Sequence, residues 1–112
     1  MPATTPGLVC AHHHLYSALA RGMPPPPAVP TDFQEILEQI WWRLDTALDL
    51  EMIRWSAMLG ALEALEAGTT AIVDHHESPN AIEGSLDAIA EVDGRRRRNR
   101  CGQRGCRRSR GI

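Results

Sequence analysis

The spacing of apolar and polar positions changes character several times along this chain. From Gly7 to His12 it reads GLVCAH, apolar on consecutive positions behind a Pro-Gly break, which predicts a short buried strand with apolar side chains on both faces. His14 to Arg21 has room for a helical turn or two, after which Gly22 and the run Pro24 to Pro27 impose an extended, polyproline-like path to Pro30. A loop this long in a compact domain is often functional. Thr31 and Asp32 are N-cap candidates for a helix through FQEILEQIWWRLDTAL, in which Phe33, Ile36, Leu37, Ile40, Leu44 and Leu48 recur at three- and four-residue steps. A second helix is predicted from Asp49 to Ala67, with Ile53, Met58, Leu62 and Leu65 on one side and Gly68 placed to end it. The run TTAIVDHH, residues 69–76, switches to β-branched apolar residues and predicts a second buried strand ending in polar groups. Ser78 and Pro79 form a turn, and Ile82 to Val92 reads as a shorter amphipathic helix interrupted by Gly84.

Strand, loop, two helices, strand and helix in that order predict an α/β unit with a parallel sheet and a right-handed crossover. Two strands alone leave both outer edges unpaired and both faces partly bare, so the pattern reads as an excerpt from a larger sheet that aggregates on its own. Adjacent Trp41 and Trp42 lie about 100° apart on a helix, so that one packs inward and the other meets another element.

Charge divides the chain in two. All fourteen acidic residues fall between Asp32 and Asp93, and with three arginines they give residues 1–93 a net charge of −11. Nine of the twelve basic residues, every one an arginine, fall between Arg95 and Arg110. The start of the chain lacks the basic and apolar regions of a secretory signal, and no apolar run reaches the roughly 18 residues of a membrane span. Three cysteines, Cys10, Cys101 and Cys106, are too few and too odd for a disulfide scaffold. A cytoplasmic protein is expected.

The chemistry-bearing feature is His12-His13-His14 at the end of the first apolar run. In a strand, residues two apart share a face, so His12 and His14 project together and His13 opposes them. At about 6 to 7 Å between Cα atoms, two imidazoles can converge on one divalent ion. Functional groups of parallel α/β proteins gather at the C-terminal ends of strands, where Asp74-His75-His76 also falls. The same histidines can equally be hydrogen-bonded core or surface groups, and Asp74 can equally be a strand-end residue capping a turn. Tyr16 and Arg21, on the loop after the strand, can face a substrate or solvent.

PGLVCAHHHL resembles the first-strand signature of the metal-dependent amidohydrolase superfamily. LYSALARGM, WWRLD and ALEAGTTAIVDHHESPNAIEGSLDAIAE are similar to its guanine deaminase and chlorohydrolase-like branch, notably SsnA-type aminohydrolases. The resemblance covers residues 6–91 and implies the first two strands and associated helices of a (β/α)8 TIM barrel. It implies a divalent metal, zinc or iron, held by His12 and His14 together with two later histidines and a late aspartate. It also implies a small heterocyclic substrate, hydrolytic deamination or dechlorination, and a homo-oligomeric intact enzyme. His13 matches no ligand position. Asp74, His75, His76 and Tyr16 fall where residues line the pocket or support the ligands. The later ligands have no counterpart here, since the five histidines are His12, His13, His14, His75 and His76.

The domain reading is therefore an amidohydrolase fragment over 1–93 and an Arg-rich tail over 94–112, disordered or produced by a shifted reading frame. In GC-rich DNA a one-base slip turns many Ala, Gly and Val codons into Arg or Cys codons. Cys101 and Cys106 lack the second pair that a structural zinc site needs. The fragment is expected to be inactive alone and to bind the metal weakly or not at all. The rival reading is a small nucleic-acid-binding protein that uses its arginines on phosphates, against which the acidic body would work. A third is an assembly fragment that pairs with a separately encoded remainder of the barrel.

Overall fold

The computed structural model describes residues 4–95. Strand β1 (Leu8–His13) lies parallel to β2 (Thr69–Asp74), with Leu8 opposite Thr69, Cys10 opposite Ile72 and His13 opposite Asp74. Both strands are shifted slightly from the expected bounds. The first runs on to His13, and the second ends at Asp74, because His75 N–H bonds back to the His13 carbonyl at 2.9 Å and the chain then turns away.

Asp32 caps α1 (Phe33–Ile36) through Oδ1, which accepts the Glu35 N–H, while Glu35 reaches back to the Thr31 N–H and hydroxyl. The predicted single helix is interrupted by a π-helical turn over Leu37–Trp41 before α2 (Trp42–Ala47). Extended backbone at Leu48 ends α2, and Asp49 caps α3 (Leu50–Glu66) by accepting the Met52 N–H at 2.8 Å. Gly68, at φ +78°, supplies the left-handed residue that turns α3 toward β2. Gly84 does the same before α4 (Ser85–Arg95), so the last helix starts after that glycine rather than running through it from Ile82.

A 3-10 segment over Leu15–Ala20 joins the end of β1 to the core. Tyr16, Leu48, Ile53 and Ala88 pack as one buried cluster, and Leu15, Ala57 and Val92 as another, with Ile89 touching both. The packing face of α3 is Ile53, Ser56, Ala57 and Gly60, with Met58 packed half-buried beside it; of the expected stripe Ile53-Met58-Leu62-Leu65, Leu62 and Leu65 instead face outward. Apolar residues surround α3, so periodicity could not choose its buried side, and small residues did. A Cβ on Gly60 would sit 2.9 Å from Leu15 Cδ2, and the buried Ser56 hydroxyl donates to the Leu15 carbonyl while accepting the Leu19 N–H. Close approach and two hydrogen bonds thus fix the 3-10 segment on α3.

The strands are not buried on both faces. Val9 is 68% and Val73 61% exposed, because among the described residues nothing covers the outer side of the two paired strands. The Arg-rich tail, read as 94–112, lies outside the described residues but for its first two positions. No helix among the described residues is long and apolar enough to cross a membrane.

Candidate metal centre

Parallel pairing delivers the ends of β1 and β2 to one rim. There His12 and His14 turn to the same side, with ring centroids 4.9 Å apart and Nε2 atoms 2.9 Å apart. His14 Nδ1 lies 3.1 Å from the His75 carbonyl. A carbonyl only accepts, so Nδ1 carries the proton and a neutral His14 has a bare Nε2. His12 Nε2–H then donates to it. Two nitrogens thus point at each other across one hydrogen bond, one of them held by a backbone carbonyl in the tautomer that ligates through Nε2. Two ligands of a tetrahedral zinc, at about 2.0 to 2.1 Å each, stand about 3.3 Å apart, so opening by a few tenths of an ångström would admit the ion. The pair fits a metal as half of a donor set. Among the described residues no three His, Cys, Asp or Glu side chains gather as a complete site.

His13 points the other way, and its Nδ1 is buried without a partner. Asp74 Oδ1 accepts the Leu15 N–H at 2.7 Å, tying the end of β2 to the backbone that leaves His14. Burial raises the Asp74 pKa, and that hydrogen bond works against the rise. His75 is exposed and lies edge-on to His14 at 5.3 Å, and its imidazole is 3.4 Å from Glu77. His76 is half-buried and donates Nε2–H to Ser78, whose own proton goes to the Ala81 carbonyl. Its bare Nδ1 is buried without a partner, and burial lowers its pKa against the pull of Asp74 and Glu77.

Tyr16 is buried, edge-on to both His14 and His76 at 5.7 and 5.2 Å. Burial and then Asp45 push its pKa upward. Arg21 does not join the site, because both guanidinium ends pair with Glu63 on α3.

Two neighbours escaped the sequence reading. The Trp41 ring centre lies 5.6 Å from that of His14, tilted 45°. Asp45 is only 7% exposed and interacts with the Tyr16 hydroxyl, yet its Oδ1 has no hydrogen-bond partner. Burial raises its pKa, with the Tyr16 hydroxyl opposing. The signal for Asp45 was present as a carboxylate set between Leu44 and Leu48 on an otherwise apolar stripe.

The profile of the amidohydrolase family matches residues 3–95. The chain belongs to that family. It is 37% identical over 87 residues to a 5'-deoxyadenosine deaminase of Methanopyrus kandleri, covering 78% of this chain and 19% of the relative. It is 36% identical over 85 residues to a 5-methylthioadenosine/S-adenosylhomocysteine deaminase of Thermococcus sibiricus, covering 76% and 19%. A second such deaminase, from Archaeoglobus fulgidus, is 33% identical over 89 residues, covering 80% and 18%. The chain thus spans about a fifth of the length of these curated relatives. No solved structure matches it. The expected family is therefore the observed one, and its curated relatives are deaminases.

Proposed function

We propose that His12 and His14 are two ligands of a hydrolytic zinc or iron ion, and that the catalytic site completed around them, in the cytoplasm, deaminates or dechlorinates a small cyclic substrate. The observation that carries this is the convergence of two Nε2 atoms, 2.9 Å apart, at the C-terminal rim of a parallel sheet. Membership of the amidohydrolase family supports it, and the deaminases among its relatives favour C–N over C–Cl cleavage. When bound, such an ion lowers the pKa of a water and polarises the substrate. The chain's own residues do the positioning. The His75 carbonyl holds the His14 tautomer, Asp74 fixes the backbone that follows His14, and the buried Tyr16 ring and half-buried His76 ring wall the site.

Catalytic zinc sites take three protein ligands and keep a further position for water, so two nitrogens do not complete one and the chain alone is inactive. Zinc titration of the metal-free full chain, in a C101S/C106S background, tests both parts. One zinc per chain is expected, lost in His12→Ala and His14→Ala and kept in His13→Ala, with no ammonia released from 5'-deoxyadenosine. Unchanged zinc binding in the first two variants would overturn the metal assignment, and ammonia release would overturn inactivity.

We also infer that residues 1–93 form the amidohydrolase unit and that 94–112 come from a shifted reading frame. The family match ends at residue 95, where the arginine run begins, which supports this division. Resequencing the coding DNA from the Ala81 codon past the stop, translated in three frames, is expected to show the barrel continuing in another frame. If no other frame continues it, the tail is a genuine segment.

A further inference from the structure

Trp41 is placed against His14 by a local irregularity of the helix. The turn Leu37–Trp41 is π-helical, which inserts one residue into the α-helical phase and rotates everything after it by about 100°. At the end of that turn, Trp41 meets the rim and Trp42 does not. Trp41 packs on the buried Tyr16 cluster with its ring 5.6 Å from His14, whereas Trp42 is 51% exposed. Single π turns inside α-helices cluster at functional sites, where they re-aim a side chain at some cost in helix geometry.

The arrangement is more than a packed indole. One helical turn on, at the i+4 position and so on the same face, stands Asp45, 93% buried with one carboxylate oxygen lacking any hydrogen-bond partner. An unpaired buried acceptor is costly unless something supplies a donor. Beside the His12–His14 pair, the helix therefore offers a flat aromatic surface and an unmet acceptor together.

We propose that Trp41 is a substrate-contacting residue, forming the aromatic wall on which a planar nitrogen heterocycle stacks beside His12 and His14. This rests on the reading of the rim as the site for a cyclic substrate, and deepens it by naming the residue that recognises the ring. Indole stacking is tolerant of ring substituents but demands a planar π-face, so the wall selects planar aromatic heterocycles over saturated rings.

The test uses the full chain with Trp42→Phe and Trp55→Phe, which leaves Trp41 as the one tryptophan, and adenosine as the probe, with and without zinc. Adenosine is expected to quench Trp41 emission saturably, and uridine less. By saturation-transfer NMR, Trp41→Leu in the natural background should weaken adenosine binding about tenfold or more. Trp41→Phe should stay within about threefold of wild type, and Trp42→Leu should leave binding unchanged. Rescue by phenylalanine separates stacking from a purely structural role, and circular dichroism checks that the leucine variant folds. Equal adenosine binding by wild type and Trp41→Leu, or no saturable quenching at all, overturns the wall. A wild-type chain that binds adenosine through Trp41 but takes up no zinc would overturn the metal assignment and leave the wall standing.

Discussion

The Nε2 atoms of His12 and His14 lie 2.9 Å apart, nearer than two ligands of one tetrahedral zinc, so an entering ion would replace a hydrogen bond with two coordinate bonds. His14 is already in the tautomer with a bare Nε2, and only His12 would have to move its proton to Nδ1 to ligate an ion. Zinc is therefore expected to perturb the His12 ring NMR signals more than the His14 Nδ1 proton, which stays on the His75 carbonyl. Loss of the His14 Nδ1–H signal on zinc addition would contradict that tautomer assignment.

Asp74 supports the rim through the Leu15 N–H at 2.7 Å. Asp74→Ala should leave a part-buried donor unpaired and cost about 1–3 kcal/mol, whereas Asp74→Asn keeps a carbonyl oxygen and should cost less. Hydrogen exchange at the Leu15 amide reads this directly. Protection should fall steeply in the alanine variant and survive in the asparagine variant. Equal protection in all three proteins would remove the bond from the account.

Gly60 lets the 3-10 segment approach α3, and a Cβ there would meet the tip of Leu15 at 2.9 Å. That tip is a flexible side chain. Gly60→Ala gains about 1 kcal/mol of helix propensity against a small shift of Leu15, and should be near neutral. Gly60→Leu has no such escape and should destabilise by about 1–3 kcal/mol through overpacking. Urea midpoints rank the two, and a leucine variant as stable as wild type would mean this contact is loose.

Much of this architecture was legible in the chain, for identifiable reasons. Asp32, Asp49 and Gly68 announced helix ends because capping depends on one side chain or one left-handed residue. The shared side of His12 and His14 followed from strand periodicity alone. Trp41 did not follow, because a π turn shifts helical phase without a mark in the residue pattern. Nor did the buried side of α3, since an all-round apolar helix is oriented by which small residues permit close approach. Asp74 offered two readings from sequence, and its bond to the Leu15 N–H places it at the turn that leaves β1.

The buried ionisable groups at the rim give stability a pH dependence of mixed sign. Burial lowers the His76 pKa, so the unfolded chain binds its proton more readily, and this contribution is lost as pH falls from about 6.5 through the folded value. Asp45 and Asp74 have raised pKa values in the fold, so their contribution is fullest at low pH and declines as pH rises from about 4 through the folded values. His76→Asn should flatten the loss on acidification below pH 6.5 and leave the carboxylate-driven slope. Parallel pH profiles of the melting temperature for the two proteins would show that His76 titrates alike in folded and unfolded chains.

Val9 and Val73 present more than three-fifths of their surface on a two-stranded sheet with both edges open among the described residues. Such a surface stacks or pairs with another strand unless charge prevents it. The full chain is expected to elute as oligomers or aggregates at micromolar concentration, with elution volume depending on loading. Val9→Lys with Val73→Lys places two like charges on this surface while leaving the cluster of Tyr16, Leu48, Ile53 and Ala88 intact. The double variant should therefore shift to a monomer with unchanged far-UV circular dichroism. If the wild-type chain is monomeric at every loading and melts cooperatively, the exposed strands are protected by some other means. If instead the double variant associates as before, association runs through another surface, and the outward apolar face of α3 around Met52, Trp55 and Leu62 is the next to substitute.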